Sequence, residues 1–202
     1  FQEAAQGEGY HILGYFENGF RHITNNERPI NTPNDLAGIK LRTPNGAWRV
    51  KMFRGYGANP TPMAFSDVFT ALQTGVIDGQ ENPYAQIASA NFQEVQKYLS
   101  VTGHVYTPAY VLMSKRTYDG LDAATQAGLQ SCATDTQTFV YEHAAKLEDE
   151  LLDVIKAAGV AVNEADKDAF VAASSDIYSA FADEVDGGQD LIDTIQGLSS
   201  GS

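Results

Sequence analysis

Short runs of alternating or β-branched character, separated by turn residues, fill the first half of this chain, and helical periodicity fills the second. Residues 9–16 (GYHILGYF) predict a strand, which Glu17-Asn18-Gly19 turns. Residues 20–24 predict a second extended piece carrying Arg21, and residues 25–35 read as a loop. Residues 39–43 alternate as a strand broken by Pro44-Asn45-Gly46, and residues 47–56 predict a helix burying Trp48, Met52 and Phe53.

Residues 57–83 form the least generic run. Asn59-Pro60-Thr61-Pro62 is extended, because each proline pushes the residue before it out of the helical region. Ser66 is placed to cap a short helix, with Asp67 complementing its dipole, Val68, Phe69 and Leu72 as its apolar stripe and Gly75 as its end. Val76-Ile77 predicts a short strand emptying into Asp78-Gly79-Gln80-Glu81-Asn82-Pro83, and in open α/β sheets the carboxyl end of a strand is where ligands sit.

Further along, residues 84–92 predict a helix and residues 98–101 a strand. Residues 104–114 read as extended, with Pro108 implying an edge or a bend. Asp122 caps a long helix ending at Gly159, with apolar positions Leu129, Phe139, Val140, Leu147, Leu151, Val154 and Ile155. Residues 160–162 predict a strand, residues 166–185 and 191–198 closing helices, and the terminal Gly-Ser a tail.

A length of 202 residues suits one or two α/β domains with a real core. No apolar run approaches the ~20 residues that cross a membrane, so direct membrane insertion is not expected. Residues 1–3 have neither a basic nor an apolar segment of a signal peptide, which reads as a cytoplasmic chain or a mature or truncated form of an exported one. The single cysteine, Cys132, excludes an intramolecular disulfide and reads as a small buried hydrophobe.

Charge sharpens the picture. A net charge of -13 argues against nucleic acid and anionic membrane surfaces as partners. Yet Arg21, Arg28, Lys40, Arg42, Arg49, Lys51 and Arg54 fall in one window opposed only by Glu27 and Asp35, about +5 locally. One reading is a basic face; the other is a short-range anion site. Arg42 stands at the carboxyl end of a strand just before a helix N-terminus, an anion-friendly address where a planar guanidinium matches a carboxylate with two parallel bonds. A surface ion pair with Asp35 is its other reading. Trp48 and Arg49, one turn further on, are placed to wall the same pocket or to serve as core and surface.

Asp78 and Glu81 invite an acid–base reading, but they share one segment, where catalytic pairs face each other across a cleft. His11, His22, His104 and His143 lack metal-ligand spacing, and no phosphate loop or nucleophile elbow is present. The reading is a binding protein, not an enzyme, with no cofactor and no metal.

The runs GIKLRTPN, GANPTPMAFSDVFTALQTGVIDGQENP and FQEVQKYLSVTGHVYTP, in this order and spacing, resemble the DctP-type solute-binding proteins of tripartite ATP-independent periplasmic (TRAP) transporters. The resemblance implies a periplasmic-binding-protein-like α/β fold of two lobes, a long helix crossing the hinge, and an organic acid in the cleft. By it, residues 1–19 and 108–147 are a remnant of the first lobe, incomplete in this chain, and residues 20–107 and 148–202 form the second. It makes Arg42 the main carboxylate clamp, with Arg21 and Asn82 on neighbouring oxygens and Phe65 lining the cleft. It implies a periplasmic receptor that takes a small carboxylate, a sugar acid or a hydroxy or keto acid, to the membrane subunits of a TRAP transporter. The alternative is a sensory or interaction module using the same lobe.

Overall fold

The computed structural model describes residues 1–199. The elements are α1 (Gln2–Gly7), β1 (Tyr10–Asn25), β2 (Lys40–Thr43), α2 (Ala47–Gly55), β3 (Asn59–Pro62), α3 (Val68–Gln73), β4 (Gly79–Asn82) and α4 (Tyr84–Ser89). They continue with β5 (Tyr98–Ser114), α5 (Lys115–Asp119), α6 (Ala123–Ala157), β6 (Ala161–Glu164), α7 (Lys167–Ala172), α8 (Ser175–Glu184) and α9 (Gly188–Ser199). One mixed six-stranded sheet runs β3-β2-β4-β1-β5-β6. β2 is parallel to β3 and β4, β5 is parallel to β6, and β1 is antiparallel to both β4 and β5. So β3, β2 and β4 end together at one edge, where the chain turns into the short helices that follow.

Each face of the sheet carries a core. Val68, Leu72, Ile77, Ile87, Phe92, Leu99 and Ile155 pack together under α3, α4 and α6. Ile23, Ile30, Leu36, Leu41, Met52, Phe53 and Phe170 pack under α2 and α7. Trp48, expected in this core, is only half-buried.

Several expected breaks are not breaks. The pieces at 9–16 and 20–24 are one strand, and so are those at 98–101 and 104–114. Glu17-Asn18-Gly19 is a bulge, with Gly19 at φ 102°, and pairing to β5 continues from Phe16↔Ala109 to Gly19↔Thr107. Pro108 sits opposite Glu17 in the same irregularity. The strand expected at Val76-Ile77 is displaced to Gly79–Asn82. Both the Val76 and Ile77 N–H groups donate to the Ala71 carbonyl and close α3; Ile77 plugs the core while Val76 is 60% exposed.

Ser66 is not a cap: its hydroxyl donates to Asp67 at 3.2 Å within a 3-10 turn, Phe65–Asp67. Asn91 in the left-handed region ends the helix after Pro83 early, at Ser89. Asp122 does cap α6, accepting from the Thr125 N–H at 3.0 Å. Of the apolar positions expected to be buried on α6, Ile155 is, but Phe139 and Val154 are 63% and 51% exposed, and Cys132 is exposed rather than buried. The helix expected over 166–185 divides at Ser174, whose hydroxyl donates to the Phe170 carbonyl and accepts from Tyr56. The expected Gly201-Ser202 tail lies outside the described residues. No described helix is long and apolar enough to cross a membrane.

Candidate functional site

Alternation in β2 sends Leu41 into one core and leaves Arg42 opposite Gln80, on the other face at the carboxyl edge. There the Arg42 Nε and Nη2 donate to the Met63 carbonyl at 3.0 and 2.7 Å, and its guanidinium lies 5.9 Å from the Phe65 ring centroid. Nη1 has no hydrogen-bond partner among the described residues. Arg42 is only 3% exposed, and burial lowers its pKa, against the raising influence of Glu81. Asp35, the alternative partner weighed for Arg42, instead accepts from Asn31 and Thr32.

On the neighbouring strands a second group assembles around Glu81. Its Oε2 accepts from Arg21 Nε at 2.6 Å, Arg49 Nη1 at 2.8 Å and His104 Nε2 at 3.1 Å; its Oε1 accepts from Arg21 Nη2 at 2.9 Å. Arg21 Nη2 also reaches the Asn82 Oδ1 at 2.9 Å, and Asn82 Nδ2 donates to Gln80 Oε1 at 2.6 Å. Gln80 continues through Thr24 to Gln96. Arg49 gets there from the first turn of α2 and also donates to the Thr107 hydroxyl at 3.3 Å.

Electrostatics follow from these contacts. Burial pushes the Glu81 carboxyl up, but the hydrogen bond from His104 and the hydrogen bonds and charge of Arg21 outweigh it and hold the pKa at about 2. Burial pushes His104 down, so the ring is neutral near pH 7. A neutral ring fits its contacts: Nε2–H donates to Glu81 and Nδ1 accepts from the Thr102 hydroxyl at 2.7 Å. Three guanidiniums thus face one carboxylate, a local charge of about +2 at the strand ends. Such a site attracts a small anion at short range inside an otherwise acidic chain.

The expected residues therefore fall into three groups. Arg21, Arg49 and Asn82 share one network; Arg42 and Phe65 form an adjacent pair, with Phe65 packed on Phe92 at 5.5 Å. Trp48 turns to Phe181 at 5.1 Å, with the Lys51 ammonium over its ring at 4.6 Å. Arg21 pairs with neither Glu17 nor Glu27, the partners nearest in sequence. Glu81 and His104 are the residues the sequence reading missed as site members. Glu81 was weighed only as half of an acid–base pair with Asp78, but both its oxygens are committed, while Asp78 serves Lys40 at 3.1 Å. No group of residues suited to holding a metal ion occurs among the described residues.

The model of DctP, bacterial extracellular solute-binding protein, family 7, matches residues 1–184. The 2,3-diketo-L-gulonate-binding periplasmic protein YiaO of Escherichia coli is 39% identical over 192 residues, 94% of this chain and 58% of that protein. The sialic acid-binding periplasmic protein SiaP of Vibrio cholerae is 33% identical over 196 residues, 97% of this chain and 60% of that protein. Among solved structures, a TRAP periplasmic solute binding protein of Chromohalobacter salexigens with bound D-glucuronate superposes with a TM-score of 0.94 at 32% identity, over 98% of this chain and 66% of that one. One from a Sulfitobacter species with bound β-D-galacturonate gives 0.91 at 35% identity, over 95% and 64%. The chain thus spans about three fifths of the length of the relatives it matches. By sequence over most of its length and by fold over nearly all of it, the chain belongs to the DctP family, family 7 of the bacterial extracellular solute-binding proteins.

Proposed function

We propose that this chain carries the anion-binding half of a periplasmic receptor that captures a small sugar acid and delivers it to the membrane subunits of a TRAP transporter. The observation that carries the reading is the excess of guanidinium over carboxylate at the carboxyl edge of β2 and β4. Arg42 clamps the ligand carboxylate with the donors that Met63 leaves free. Arg21 offers Nη1 to a neighbouring oxygen, and Asn82 and Glu81 hold Arg21 in place. Arg49 adds charge, Phe65 walls the site, and Trp48 anchors α2 against α8. Relatives described with glucuronate, galacturonate and 2,3-diketo-L-gulonate support a sugar acid as the ligand class.

The division into lobes belongs to the same proposal: residues 20–107 and 148–202 as one lobe, residues 1–19 and 108–147 as part of the other. Every residue of the two buried clusters lies within the first set, which supports it. Calorimetric titration of the full-length protein with uronates, aldonates and keto acids tests the function. Saturable binding of a sugar acid, lost on adding excess of a second one, is the expected result; silence across the panel sinks the proposal.

A further inference from the structure

Strands β1 and β5 and helices α4, α6 and α7 line an open pocket of about 370 Å³. Its buried wall is the His22 ring stacked on Tyr84, centroids 4.4 Å apart, each residue 4% exposed. The Gly103 N–H donates to His22 Nδ1 at 3.2 Å. Burial, with His104 and Lys167 nearby, holds the His22 pKa at about 3, so the ring is neutral and its proton sits on Nε2. Among the described residues neither that Nε2–H nor the Tyr84 hydroxyl has a hydrogen-bond partner, although both side chains line the pocket.

The rim carries charge of both signs. Lys167 passes over Gly103, its Cε 3.6 Å from where a Cβ would stand, and makes no ion pair among the described residues. Across from it stand Glu148 and Asp149 of α6, neither of them paired among the described residues. Burial, then Glu17 and Asp149, raise the Glu148 pKa, the response of a carboxyl without a counterion. Phe20 supplies an apolar surface between the two rims.

We propose that this pocket binds a small zwitterion of the amino-acid type with an apolar body, its carboxylate on Lys167 and the His22 Nε2–H, its ammonium on Glu148 and Asp149. The aromatic wall takes the apolar body and favours a cation near its faces. A simple acid leaves the carboxylate rim unpaired, and a simple amine leaves Lys167 and His22 unpaired. A sugar acid carries no cation for the acidic rim, so this site stands independently of the sugar-acid reading.

Calorimetric titration of the chain with L-phenylalanine, phenethylamine and 3-phenylpropionate tests the proposal. L-Phenylalanine is expected to saturate, with each analogue about tenfold weaker or more. Lys167→Met should weaken L-phenylalanine and 3-phenylpropionate but not phenethylamine, and Glu148→Gln should do the reverse; both positions lie toward the surface, where folding tolerates the change. Excess D-galacturonate should leave the L-phenylalanine titration unchanged. No saturable binding of L-phenylalanine, equal binding in both variants, or displacement by galacturonate overturns the proposal.

Discussion

Arg21 and Glu81, 60 residues apart in the chain, meet through Nε–H···Oε2 at 2.6 Å and Nη2–H···Oε1 at 2.9 Å. Their side chains are 6% and 0% exposed, so the pair is desolvated and its partners are not interchangeable with water. Glu81→Gln leaves Arg21 and Arg49 without their counterion, and stability should fall by about 3–5 kcal/mol. Arg21→Met combined with Glu81→Leu should cost less than the sum of the single changes, because the double variant leaves no unpaired Arg21 charge, only the part-exposed Arg49 without its counterion. Urea denaturation of Glu81→Gln and of the four proteins of the Arg21→Met, Glu81→Leu cycle measures both; additive costs would mean that the pair is not coupled.

Acid should unfold the protein in stages. His22 and His104 have pKa values pushed below the usual 6.5 by burial, so the folded state favours the neutral rings. The stability this represents is present above pH 6.5 and is lost as pH falls, for His22 down to about 3. The slope from His22 alone is about 1.4 kcal/mol per pH unit once the unfolded ring is protonated. Glu81, depressed from 4.5 to about 2, contributes stability above pH 4.5 that disappears between these values. Urea midpoints measured from pH 7 to pH 4 should fall throughout, and His22→Gln should flatten the decline by about one proton.

Arg42 is the substitution most informative about ligand binding. Arg42→Ala removes one member of a buried charge pair with the ligand, about 3–5 kcal/mol or two to four decades in affinity, and Arg42→Lys keeps the charge but loses the fork. Arg42 is nearly fully buried and holds the Met63 carbonyl, so Arg42→Ala also costs about 1–3 kcal/mol of stability. Arg28 is the control, its Nε and Nη2 spent on the Asp35 and Ala37 carbonyls in an exposed loop. Calorimetry on folded variants against the best-binding sugar acid decides: near-normal affinity in Arg42→Ala places the clamp elsewhere.

Gly79 permits β4 to enter the sheet. A Cβ there would stand 2.3 Å from the Thr24 carbonyl oxygen and 2.8 Å from the Asn25 Cβ, on the strand it pairs with. Gly79→Ala must push β4 off β1, next to Gln80, Glu81 and Asn82, and should cost about 1–3 kcal/mol in urea denaturation and weaken anion binding. Gly38→Ala, with no atom within 4 Å but φ at +79°, should be destabilised with the arginine network intact.

What the sequence determined by itself was local. The alternation of residues 39–43 and the break at Pro44 put Arg42 at a strand end before a helix, and the structure keeps it there. The Asp122 cap marks the start of α6, because a capping bond joins residues three apart. Tertiary structure decided the rest. Whether Gly19 makes a turn or a bulge depends on the strand alongside, and β5 runs past it. The polar run Gly79–Asn82 reads as loop because buried polar side chains are affordable only when partners meet them, and those partners come from β1, α2 and β5. Glu81 shows the division most plainly: its residue type was visible, but its role depends on Arg21, Arg49 and His104, which only folding brings within hydrogen-bond reach.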